Sequence, residues 1–133
     1  MELIKITPDK ERTKSILKMV ALIEERIKKQ EREKMAALIL AGYYEIVKEL
    51  ITALLLIDGY KTLSHRDLID YIKEKCEEFD ANEISVLDDL RILRNRIAYE
   101  GFFVPSSYLD RNEPLFKATI RKLKGLVEKK LHV

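Results

Sequence analysis

Apolar residues recur along this chain at helical spacing, and nowhere does the two-residue alternation of a half-buried strand persist. Ile16, Val20, Ile23 and Ile27 share one face of a helix predicted over residues 8–30, opened by Thr7-Pro8-Asp9, where threonine caps and proline suits the first turn. Residues 35–57, MAALILAGYYEIVKELITALLLI, are apolar almost all round, which predicts a central helix buried on several sides. Its length approaches that of a membrane span. Glu45, Lys48 and Glu49 sit in its middle, however, and each would cost roughly 3 kcal/mol in lipid, so a membrane location is not expected.

Asp58-Gly59 ends that helix, and Ser64-His65-Arg66-Asp67 reads as a capping box that opens a third, with Leu68, Ile69, Ile72 and Cys76 inward and an end near Phe79. The fourth helix is capped by Asn82 or Ser85 and runs to Gly101, a plausible stop, with Pro105 beyond it. Residues 106–114, SSYLDRNEP, read as a loop. The last helix begins at Glu113-Pro114 and places Phe116, Ile120, Leu123, Val127 and Leu131 on one face, and Lys117, Arg121, Lys124 and Lys129 on the other. Short connections favour antiparallel neighbours. The expected fold is all-α: one domain over residues 1–133, an up-and-down antiparallel bundle of about five helices.

Composition adjusts this picture only a little. A chain of 133 residues with 47% hydrophobic residues fills a single core. Lysine and arginine (25) nearly balance aspartate and glutamate (23), so any attraction to nucleic acid has to be local. One cysteine, Cys76, excludes an internal disulfide and suits a reducing cytoplasm, and the start MELIKITPDK lacks the apolar run of a secretion signal. His65 and His132 have no paired ligand spacing and the four glycines are scattered, so neither a metal centre nor a phosphate loop or other cofactor site is expected.

Candidate chemistry is confined to the fourth helix, SVLDDLRILRNRIAYEGFFV. Val86, Leu87, Leu90, Leu93, Ile97 and Ala98 supply its apolar edge, and Arg91, Arg94, Asn95 and Tyr99 an adjoining polar stripe. An arginine and an asparagine on a largely buried helix need partners, because buried polar groups without hydrogen bonds cost several kcal/mol. Two arrangements meet that need. Arg94 pairs with Glu45, Glu49 or Asp88 while Asn95 ties helices together, or Arg94, Asn95 and Tyr99 converge on a bound group, the guanidinium fork suiting a phosphate.

The run LRILRNRIAYEG resembles the signature of HEPN domains, an R-N-x-x-x-H segment near the end of a late helix, and AGYYEIVKELITALLLIDGYKTLSHRDLIDYI is similar to that family's long central helix, turn and following helix. The resemblance implies a bundle that dimerises with two copies of the signature face to face. Many members are metal-independent ribonucleases, often toxins encoded beside a minimal nucleotidyltransferase antitoxin. By that analogy Arg94, with Arg91, would hold phosphate, and Asn95 would position the reacting groups. Tyr99 stands where the family has histidine, and a phenol with a pKa of about 10 is a poor general base at neutral pH. The expectation is therefore a catalytically degenerate subunit that binds RNA or a nucleotide. The alternative is a ribonuclease in which Tyr99 replaces the histidine.

Overall fold

A computed structural model describes residues 1–132. Five helices follow one another: α1 (Lys10–Lys29), α2 (Arg32–Asp58), α3 (His65–Lys75), α4 (Ala81–Glu100) and α5 (Ser106–Leu131). The all-α bundle matches the periodicity. Each consecutive pair of helices packs together, and α2 also packs against α4 and α5. Fifteen of the residues of α2 are buried, from Ala36 to Leu56, so it is the axis about which the others assemble. The stripe Ile16, Val20, Ile23 and Ile27 lies against it, fully in the core as its spacing requires.

One small sheet was not expected. Strand β1 (Ile4–Lys5) pairs antiparallel with β2 (Tyr60–Lys61), a ribbon too short to show alternation. Gly59 makes it possible: at φ +89° it caps α2 in the left-handed region, and an added Cβ would meet the Ile6 carbonyl oxygen at 3.1 Å. The ribbon pins the N-terminal segment, with Ile6 N–H donating to Gly59 O and Asp9 N–H to Leu56 O. That fixes Asp9, not Thr7, as the cap of α1, where its carboxylate accepts from Arg12 N–H.

Three other boundaries differ from the pattern reading. Helix α4 starts earlier, at Ala81, because Asp80 and Glu83 form a reciprocal capping box; neither Asn82 nor Ser85 caps it. Ser64 does cap α3, but the Asp67 carboxylate accepts from Glu2 N–H and the Thr62 hydroxyl instead of returning to Ser64. Helix α3 ends at Lys75, with Cys76 as cap and Phe79 N–H turned back to Cys76 O. The largest change is in α5, which begins at Ser106 and absorbs the expected loop, with Pro114 inside it. Leu109 is fully buried there and Arg32 grips both Asp110 and Glu113, so packing overrides the weak helix propensity of SSYLDRNEP.

Candidate functional site

Seven residues carry Arg94 almost two turns beyond Leu87, and four carry it one turn beyond Leu90, both fully buried. Its side chain therefore leaves α4 on the inner side, and it is half-buried. It opens into a cleft of about 460 Å³ between the end of α1, the middle of α2 and α4, lined by Arg26, Tyr44, Glu45, Lys48 and Arg94 among others. Gly42 lets α1 approach this closely: a Cβ there would stand 3.1 Å from Ile27 Cδ1 and 3.2 Å from Arg26 Nη2. Three cations against Glu45 leave the cleft positive.

The carboxylates that could have braced Arg94 are occupied elsewhere. Glu45 pairs with Arg26 at 3.5 Å, Glu49 with Lys48 at 3.7 Å, and Asp88 with Arg91 at 3.0 Å. Among the described residues, the hydrogen bond found for the Arg94 guanidinium is to Asn95 Oδ1, at 3.4 Å. So Arg94 and Asn95 do touch. Arg91 is held back by Asp88 and is not free to take a second anion by the same fork.

Tyr99 lies one turn beyond Asn95 on α4 and outside the lining of the cleft. Five residues after Arg94 it points about 140° around the helix, and it is 79% exposed. The second half of α4 is altogether more superficial than its apolar residues suggested. Leu87 and Leu90 are its buried residues; Val86, Leu93 and Ile97 are half-buried, and Ala98 is exposed. Gly101, at φ +62°, ends the helix as expected, with Phe102 folded back beneath the Arg96 guanidinium at 3.9 Å.

His65, set aside in the sequence for want of a paired ligand, is bonded to a residue of the cleft lining. His65 is half-buried, and its Nδ1 lies 3.1 Å from the Tyr44 hydroxyl, with the two rings tilted at 5.9 Å between centroids. Burial lowers its pKa below the usual histidine value, and the charges of Lys48, Arg94 and Arg91 lower it further. The imidazole is thus kept neutral beside a cationic cleft. Burial also raises the Tyr44 phenol, although Arg91 and Arg94 oppose this, so Tyr44 stays protonated. The one sequence signal was the second tyrosine of Tyr43-Tyr44, half-way along the central helix.

Cys76 is buried and its thiol is pushed up to about 11 by that burial, which suits a core residue and not a nucleophile at neutral pH. Among the described residues no group of three metal-binding side chains converges, and no helix is long and apolar enough to cross a membrane. No protein-family model matches the chain, and no curated protein or solved structure shows detectable similarity to it.

Proposed function

We infer that the chain is a HEPN-like, catalytically degenerate subunit that binds RNA or a nucleotide through the Arg94 cleft. It acts as a homodimer and as the partner of a minimal nucleotidyltransferase in a toxin–antitoxin type system. One observation carries the binding site: a half-buried guanidinium faces a positive cleft while all three of its plausible internal carboxylate partners are paired with other cations. Such a fork is suited to a phosphate. The dimer draws support from Ile92 and Tyr99, which lie seven residues apart on one stripe of α4 and are exposed together with Phe103.

The binding test is fluorescence anisotropy of a short single-stranded RNA. Arg94→Ala is expected to weaken binding at least about tenfold, and removing this contact is expected to shrink the slope of log K against log salt by about 0.7. Unchanged affinity and slope would remove the cleft from the reading.

A ribonuclease reading is favoured by His65, whose Nδ1 lies 3.1 Å from the hydroxyl of Tyr44 in the cleft lining and whose imidazole burial keeps neutral. Cleavage of single-stranded RNA in the presence of a chelator, lost in both His65→Ala and Arg94→Ala, is the result it requires. With Tyr99 turned away from the Arg94 cleft, Tyr99→Phe is expected to leave such cleavage in place.

A further inference from the structure

A second cleft, of about 290 Å³, lies on the other flank of the α1–α2 pair, where the end of α1 and the start of α2 meet the middle of α5. Its floor is apolar and buried. Ile27, Tyr43 and Ile120 are all buried, and the Tyr43 ring is set against Phe116 with centroids 6.0 Å apart. Two ion pairs clamp its walls. Lys124 of α5 holds Glu24 of α1, and Arg32 of α2 holds Glu113 of α5, which also accepts the Tyr43 hydroxyl at 2.6 Å.

What is left over is cationic. Lys28, Lys117 and Arg121 also line the cleft, and among the described residues no carboxylate lies within ion-pairing distance of any of them. Lys117 is close enough to Glu113 to lower that carboxyl's pKa, but Glu113 is already committed to Arg32. Lys117 and Arg121 stand four residues apart on α5, a spacing at which like charges repel. Lys28 faces the same space from α1. All three are exposed cations around an apolar floor, and an anion seated among them would relieve the repulsion and find hydrophobic surface beneath it.

We propose that this cleft binds a small organic phosphate monoester, its phosphate held by Lys28, Lys117 and Arg121 and its apolar body resting on Ile27, Tyr43 and Ile120. This site meets the Arg94 cleft only at Gln30, none of its three cations lines that cleft, and it stands whether or not RNA binds there. Three probes dissect it by titration calorimetry on the full chain: phenyl phosphate, inorganic phosphate and phenol. Phenyl phosphate is expected to bind at least about tenfold more tightly than inorganic phosphate, with phenol weaker than both. The double variant Lys117→Gln/Arg121→Gln is expected to lose about tenfold or more for phenyl phosphate. Both residues are exposed, and an unchanged melting temperature verifies the fold. Lys73→Gln/Lys129→Gln, at exposed cations outside both clefts, is expected to bind phenyl phosphate as the parent does. Equal affinity for phosphate with and without the phenyl group would overturn the proposal. So would binding insensitive to Lys117→Gln/Arg121→Gln, or binding lost equally with Lys73→Gln/Lys129→Gln.

Discussion

Leu50→Ala is expected to destabilise the fold by about 3–4 kcal/mol, the largest effect of any single truncation argued for this chain. Leu50 lies in the middle of α2 and has no exposed surface. The helix around it is walled by the other four, so the backbone cannot collapse into the space that three missing heavy atoms would vacate. Domains of this size are stable by about 5–15 kcal/mol, so the loss is a large fraction of the whole and corresponds to roughly 10 °C in melting temperature. Urea or thermal unfolding followed by circular dichroism measures it. Leu63→Ala is the matched control: the same atoms are removed from a side chain that is 90% exposed, and the change is expected to stay within about 0.5 kcal/mol. Equal losses at the two positions would mean that α2 is not the packing axis.

The same contrast between Leu50 and Leu63 explains how far the sequence could be read. Buried faces announce themselves by period, so the stripe from Ile16 to Ile27, the all-round apolar α2 and the inner face of α5 were legible, as were the Ser64 cap and the Gly101 stop. Boundaries set by tertiary contact were not. Asp80 looked like part of a connection until its side chain met Glu83, and residues 106–114 look like a loop because Ser, Asp, Asn and Pro are poor helix formers. Nothing local reveals that Leu109 will be sealed in the core and Asp110 gripped by Arg32.

Helical phase also governs how the candidate site was read. The neighbouring positions of Arg94 and Asn95 let them touch, whereas Tyr99, one turn beyond Asn95 but about 140° around α4 from Arg94, is 79% exposed and lies outside the lining of the Arg94 cleft. The histidine bonded to the cleft's Tyr44 comes from the first turn of α3, twenty-one positions away. A pairing across a helix, a ribbon and a cap has no linear signature. The internal-bracing arrangement for Arg94 was equally open from sequence, and it loses support only because Glu45, Glu49 and Asp88 each pair with a different cation.

Glu113→Ala is expected to destabilise the protein by about 2–3 kcal/mol at neutral pH, and about half of that loss, the share that belongs to the charge, is expected to vanish in acid. Glu113 accepts from the buried Tyr43 hydroxyl and from Arg32, linking α5 to α2. Burial raises its pKa, but the hydrogen bonds from Arg32 and Tyr43, with the charge of Lys117, outweigh burial and leave it below the ordinary carboxylate value of 4.5. A carboxyl depressed on folding stabilises the native state above its unfolded pKa, and that contribution fades as pH falls through the folded one. Burial, reinforced by the Glu113 carboxylate, raises the Tyr43 phenol, so Tyr43 remains a donor throughout. Alanine leaves that hydroxyl without its acceptor and returns Arg32 to Asp110 alone. Glu113→Gln, which keeps an acceptor oxygen but no charge, is expected to lose about half as much. Urea midpoints at pH 7 and pH 3 separate the terms, since a penalty for Glu113→Ala of the same size at both would show that shape, not charge, holds the end of α2 to α5.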